Sequence, residues 1–251
     1  MNKGDVAKRE ENVKSSLSDP LVLAEQVGRI VSSEEKRKYY RFRPAHFYGG
    51  IATADCVGCC LKCLFCWSWH ILVQPQKVGR FYSPEEVVRN LLSIVRKKGF
   101  DQVRISGNEP TLHRSHLLEV LHLIPKDIHF ILETNGILIG HDPSYAKDLS
   151  LFRNLYVRVS LKGACPEDFA RLTGAKPDGF GLQIKALENL VGEGVNCFPA
   201  AMTNVSSKEE IEKLKQQLKE IRSDFFNLEE EELILYPFVV DHLQKAGLNW
   251  N

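Results

Sequence analysis

Five of the seven cysteines fall between Cys56 and Cys66, and within Cys59-Cys60-Leu61-Lys62-Cys63-Leu64-Phe65-Cys66-Trp67 three of them follow C-x3-C-x2-C. Three thiolates so close together can each hold one iron of a cubane iron–sulfur cluster, for which cysteine is the usual ligand. The fourth iron is then left open, a coordination site for another molecule. Cys56, Cys60 and Cys63 satisfy the same spacing, so two frames overlap. A different chemistry is also available locally. Cys56, Cys59, Cys63 and Cys66 could close a tetrahedron around a structural zinc ion, which would make the chain a binding module rather than an enzyme.

With Phe65 before the last cysteine and Trp67 after it, the run resembles the signature of the radical S-adenosylmethionine (radical SAM) enzymes. In that family the residue before the last cysteine is usually aromatic and packs near the adenine. That favours Cys59, Cys63 and Cys66 as metal ligands over the frame in which Lys62 takes the position. The resemblance implies a single [4Fe–4S] cluster whose open iron is chelated by the methionine end of SAM. It also implies an external one-electron reductant, such as a flavodoxin or ferredoxin. Reductive cleavage of the sulfonium would give a 5′-deoxyadenosyl radical that abstracts hydrogen from a substrate.

Such a loop needs a scaffold, and a regular alternation begins where the cysteines do. Gly50–Ala54 reads as a first strand. Ser83-Pro84-Glu85-Glu86 has the cap, proline and acidic first turn of a helix that runs from Val87 to Lys98 and stops at Gly99. Strands are expected at Gln102–Ser106, Ile128–Leu132, Leu155–Leu161, Val195–Ala200 and Glu232–Tyr236. Helices are expected at His113–Ile124, Ser144–Leu151, Phe180–Gly192 and Lys208–Ile221. In the fourth strand Leu155, Val157, Val159 and Leu161 share one face, and Tyr156, Arg158 and Ser160 the other. Crossovers longer than a dozen residues argue a parallel sheet. Six units are too few to close an eight-stranded barrel, so the expected α/β fold is a partial (β/α)6 TIM-like barrel, open on one side. The radical SAM resemblance implies the same architecture. Residues 46–251 would form it, with residues 1–45 as an N-terminal helical and basic extension containing a helix over Leu21–Val31.

In parallel β/α folds functional groups gather where strands end. Strand two ends in Ser106-Gly107-Asn108-Glu109-Pro110, similar to the GGEP motif that holds the SAM amino group. Asn108 stands where the second glycine usually does, and asparagine tolerates positive φ better than most residues. Glu109 would assist directly or brace the loop. Strand three ends in Glu133-Thr134-Asn135-Gly136, similar to the D/E-T-N-G of the glycyl-radical-enzyme activating branch. Strand four ends in Ser160-Leu161-Lys162-Gly163, where that branch has Asp-x-Lys. The resemblance gives Lys162 the SAM carboxylate, whereas Ser160 in place of aspartate puts a monovalent-cation site in doubt. It also makes Phe65, Asn204 and Tyr236 candidates for adenine and ribose contacts, and His242 a loose stand-in for a histidine that follows strand six. Arg171-Leu172-Thr173-Gly174 matches a related segment before strand five. Cys165 and Cys197 read as lone, buried thiols.

The chain is 251 residues long, 43% hydrophobic and 26% charged, with a formal net charge of +1, which gives no field strong enough to argue for nucleic acid or a membrane. Bunched cysteines suit metal binding in a reducing compartment. The N-terminus has no apolar h-region and no run approaches a membrane span, so a cytoplasmic protein is expected. Basic and aromatic residues alternate in Lys36-Arg37-Lys38-Tyr39-Tyr40-Arg41-Phe42-Arg43. This stretch could grip RNA, or be a solvated helix end or a cover over the barrel bottom. The resemblance leaves three kinds of substrate open: a glycine of a partner protein, as in the activating branch; RNA; and a peptide or small metabolite.

Overall fold

The computed structural model describes residues 17–248. Its centre is a sheet in which six strands run parallel in chain order: β3 (Ile51–Cys56), β5 (Gln102–Gly107), β6 (His129–Thr134), β7 (Leu155–Leu161), β8 (Cys197–Ala201) and β9 (Glu229–Glu230). The first and last of these are not paired to each other, so the sheet is open as expected. On the β3 side it continues antiparallel through β2 (Lys36–Ala45), which in turn carries β1 (Ser32–Ser33) and β4 (Arg80–Tyr82).

The helices are α1 (Pro20–Val31), α2 (Trp69–Leu72), α3 (Pro84–Lys98), α4 (Arg114–Leu123), α5 (Ile137–His141), α6 (Pro143–Leu149), α7 (Pro166–Thr173), α8 (Asp178–Gly192), α9 (Lys208–Ile221) and α10 (Pro237–Lys245), of which α2 and α10 lie by the cysteine loop. Their ends follow the local chemistry. Ser83 and Glu86 form a reciprocal capping box on α3, whose far end closes on Gly99 at φ 69°. Ser207 and Glu210 do the same for the start of α9. The main core lies between helices and sheet. Ala52 and Ala54, Val103 and Ile105, Phe130 and Leu132, and the apolar face of β7 all point into it. Alternate residues on the same strands point the other way, into the concave side. Among the described residues no helix is long and apolar enough to cross a membrane.

Two expectations are corrected. The segment from Lys36 is neither a helix end nor a cover but a ten-residue strand, paired with β3 along most of its length. Its β-branched-poor composition hid this, because the pairing is supported by buried Tyr39 and by charges that find partners on β3 and beyond. The sixth parallel strand lies at Glu229–Glu230, not Glu232–Tyr236. Backbone pairing ends with the Glu231 amide on the Ala201 carbonyl at 2.8 Å. The apolar run that suggested a strand leaves the sheet, with Ile234, Leu235 and Tyr236 exposed, and Pro237 then starts α10. The first 16 residues of the expected extension lie outside the described residues.

Candidate active site

At the C-terminal ends of the parallel strands lies a cavity of about 760 Å³. Cys59, Cys63 and Cys66 line it, as do Phe65 beside them and Gly107, Asn108 and Glu109 after β5. Glu133 and Thr134 from β6, Ser160 and Lys162 from β7, and Tyr236 complete the set of expected residues found there. Asn204 is not among the lining residues. Of the two cysteine frames, only the one containing Phe65 faces this space: Cys56 and Cys60 are packed in the core cluster. Cys56 ends β3, is fully buried and does not line the cavity, so it does not join the other three there as the fourth sulfur of a zinc tetrahedron. Cys60 lies against Cys59 but is buried and does not line the cavity, so three sulfurs of one loop face this roomy space, which fits a cluster with one open iron. Burial raises the Cys63 thiol far above its ordinary range, with Lys162 opposing, and also raises Cys66. Metal uptake would therefore release protons from them.

The cysteine loop is pinned from several sides. The Lys62 and Leu64 amides donate to the Thr173 and Leu172 carbonyls at 3.2 and 2.9 Å, which explains the Arg171–Gly174 segment as a backbone dock. His242 from α10 bonds the Leu64 carbonyl at 3.2 Å and packs on Trp69. Asn108 has ordinary backbone geometry; the only non-glycine residues at positive φ among those described are Glu34 and Tyr48. Its side chain is a clamp. Oδ1 accepts from the Gly58 amide at 2.9 Å, and Nδ2 donates to Ser68 Oγ at 2.9 Å. Ser68 is fully buried, and its hydroxyl lies 3.5 Å from Cys66 Sγ. One side chain thus ties both ends of the cysteine loop to the end of β5.

Glu109 braces rather than faces a ligand. Its buried carboxylate accepts from the Thr111 amide and hydroxyl, the Thr134 hydroxyl and the Asn135 amide, at 2.6 to 3.1 Å. This locks the end of β5 to that of β6. Asn135, absent from the expected site, lines the cavity and directs Nδ2 at Cys59 Sγ (3.6 Å) and Cys60 Sγ (3.3 Å). Gly107 is a true glycine position: φ is 101°, and a Cβ would lie 2.9 Å from the Cys56 amide nitrogen.

The aspartate missing at Ser160 is replaced from another strand. Glu231, just beyond β9, accepts from Ser160 Oγ and from Arg158 Nη1 at 2.7 Å, and its other oxygen lies 3.6 Å from Lys162 Nζ. Burial opposes ionisation of Glu231, but Lys162 and Arg158 prevail and hold its carboxyl below the usual range. Lys162 also sits 5.6 Å above the Phe65 ring. Cys197 is buried as expected, whereas Cys165 is only half-buried and caps α7.

Sequence reasoning missed the charged lining of the barrel. Arg104 donates to Glu133 at 2.7 Å and to Thr53 at 3.1 Å, and Ser106 and Tyr48 also donate to Glu133. Arg41 and Arg43 both reach the fully buried Asp55. The signal was the alternation itself: Arg41/Arg43, Arg104/Ser106 and Arg158/Ser160 are i, i+2 pairs on the faces opposite the helices.

A model of the radical SAM superfamily matches residues 55–218. The chain is 30% identical over 205 residues to the pyruvate formate-lyase-activating enzyme of Clostridium pasteurianum, covering 77% of this chain and 78% of that one. It is also 30% identical over 138 residues to a probable GTP 3′,8-cyclase of Methanosarcina acetivorans, but spans only 40% of that protein's length and 55% of its own. Among solved structures it superposes with a TM-score of 0.54 on Streptococcus suis SuiB bound to S-adenosylmethionine, at 20% identity, over 78% of this chain and 47% of the other. With three cysteines facing a cavity at the open barrel's mouth, the chain is a member of the radical SAM superfamily, whose cofactors are a [4Fe–4S] cluster and S-adenosylmethionine.

Proposed function

We propose that this protein is a hydrogen-abstracting radical SAM enzyme whose substrate is a glycine-bearing segment of a partner protein, as in the activating branch. One observation carries the partner reading: the cavity mouth is ringed by exposed apolar side chains. Phe47, Tyr48 and Trp67 stand on one side, Ile234 and Tyr236 on the other, each 38 to 58% exposed. Exposed apolar surface grouped around a functional opening is typical of protein–protein contact. The match to the activating enzyme, which runs over most of both chains, supports the same reading. The RNA reading keeps only part of its basic stretch, since Arg37 and Lys38 are buried and bonded to backbone carbonyls.

Cys59, Cys63 and Cys66 would hold the cluster, and Lys162, Phe65 and the β5 end would face SAM. When bound, these cofactors supply the electron and the radical chemistry that removes a hydrogen atom. The chain's part is to position and to exclude water. Asn108 and Ser68 fix the cysteine loop, Glu109 fixes the loop after β5, and a partner seated on the apolar ring would close the mouth.

The test is anaerobic reconstitution followed by SAM and dithionite, alone and with candidate glycyl radical enzymes. About four irons per chain, 5′-deoxyadenosine, and a glycyl radical signal in the partner are expected. A zinc-only protein that makes no 5′-deoxyadenosine would overturn the enzyme reading. Turnover driven by a small metabolite and by no protein would overturn the partner reading.

A further inference from the structure

The cavity holds five cationic side chains, and four of the carboxylates on its walls or behind them pair with those cations, unequally. Arg104 is matched by Glu133, and Arg158 and Lys162 by Glu229 and Glu231. Arg41 and Arg43 share a single acid. Their Nε atoms lie 2.7 and 2.8 Å from the same oxygen of Asp55, and Arg43 Nη2 lies 3.4 Å from the other. Asp55 is fully buried behind them, while Arg41 is 42% and Arg43 23% exposed in their side chains. Among the described residues, both terminal nitrogens of Arg41 and Nη1 of Arg43 have no protein acceptor. A pair of guanidinium groups with one uncompensated charge and free N–H edges matches an oxyanion, which arginine grips bidentately.

The surroundings sharpen the placement. Trp67 immediately follows Cys66, and its ring lies 5.6 Å from the Arg41 guanidinium and 6.0 Å from that of Arg43. The arginine pair thus packs on the residue after the last cluster cysteine and lines the same cavity. Its register is fixed, because Arg41 is paired with Asp55 and Arg43 with Thr53 across the β2–β3 ladder. The wall at β9 presents Glu229 to Glu232, and Arg158 and Lys162 there are already paired with Glu229 and Glu231, so the unmatched positive charge lies at the β2 side.

We infer that Arg41 and Arg43, seated on Asp55 and flanked by Trp67, form a substrate subsite for an oxyanion, a carboxylate or a phosphate, close to the reacting position. This rests on the cavity being the radical SAM active site. With a partner segment as substrate, the oxyanion would be an acidic side chain, or a phosphorylated one, next to the residue that loses hydrogen.

The test uses the reconstituted full chain with SAM bound and two fluorine probes, trifluoroacetate for a carboxylate and monofluorophosphate for a phosphate, each titrated by 19F NMR line broadening. At least one is expected to bind saturably, and the tighter of the two identifies the source of the anion. Arg41→Gln leaves Arg43 on Asp55, so no buried acid is stranded. It is expected to weaken binding about tenfold or more, and Arg41→Lys, which keeps the charge but loses the planar fork, to recover only part of that loss. Failure of both probes to bind wild-type protein, or equal binding by Arg41→Gln, would overturn the subsite. So would an Arg41→Gln variant that loses SAM affinity instead, since the arginine would then serve the cofactor. Formation of 5′-deoxyadenosine by the wild type is measured in parallel. Its absence refutes the enzyme reading, and its presence without anion binding refutes the subsite alone.

Discussion

The replacement of Asn108 by alanine separates two accounts of the residue that departs from the family's second glycine. If asparagine were there for its tolerance of positive φ, glycine would be an equal or better choice. The backbone gives no support to that account, because Asn108 is not at positive φ. Its side chain instead makes two hydrogen bonds, to the Gly58 amide and to the fully buried Ser68 hydroxyl. Each such bond contributes about 1 kcal/mol, and a stranded buried partner costs about 1–3 kcal/mol. Asn108→Ala is therefore expected to lose about 2–4 kcal/mol. At roughly 2–4 °C per kcal/mol for a chain of this size, the thermal midpoint of the metal-free protein should fall by about 5–15 °C. A second readout is the reduced cluster's EPR spectrum, because Ser68 then loses the partner that aims its hydroxyl at Cys66 Sγ. Asn108→Gly, which restores the family residue, should resemble Asn108→Ala. A glycine variant as stable as the wild type, with an unchanged spectrum, would refute the clamp.

Glu109→Ala removes the acceptor of four hydrogen bonds and should cost about 3–5 kcal/mol in urea denaturation; a loss under about 1 kcal/mol would deny it the bracing role. Gly107→Ala drives a Cβ against the Cys56 backbone at a positive φ, and iron uptake should fall well below that of the wild type; full uptake would show that the strand end can shift. Burial holds the pKa of the His116 imidazole at about 4, although its Nδ1 donates to the Glu35 carbonyl, and His113 nearby adds to the lowering. The folded state then binds this proton more weakly than the unfolded chain, so stability is complete above about pH 6.5 and declines as pH falls toward 4. The loss should reach about 3 kcal/mol, and His116→Gln should flatten that part of the profile measured by urea titration. An unchanged slope would contradict it.

Much of the fold was legible because its signals are local. Ser83-Pro84-Glu85-Glu86 placed one helix start within a few residues, the helix expected over Lys208–Ile221 has those bounds, and the alternation of Leu155–Leu161 gave that strand its full extent. What failed were segments whose structure depends on distant partners. The strand Lys36–Ala45 is stabilised by pairing to β3, and two of its arginines share Asp55, a residue ambiguous in sequence. The last parallel strand carries glutamates because its inward side meets Arg158 and Lys162, while the apolar residues after it line an opening. The site shows the same division. The cysteine spacing and the strand-end motifs named the lining, but a substitution such as Ser160 for aspartate looks like a loss until β9 is folded beside it. Nothing in the order of residues says that Glu231 will occupy that space.

The charges inside the barrel follow from its being open. A closed eight-stranded barrel fills its interior with branched apolar layers. A six-stranded arc cannot, so the inward residues of its strands stay wet enough to be polar and close enough to need partners. Along the arc they are matched: Arg104 of β5 with Glu133 of β6, and Arg158 of β7 with the glutamates of β9. The matching stops at the edge where β2 has been added antiparallel to β3, because there two arginines meet one aspartate. Burying two guanidinium groups against one carboxylate is unfavourable unless water or a ligand takes the remaining N–H groups. Such an arrangement is stable here because the pair opens onto the cavity. The same opening places the unmatched charge beside Trp67 and the cysteine loop, where a substrate anion would relieve it.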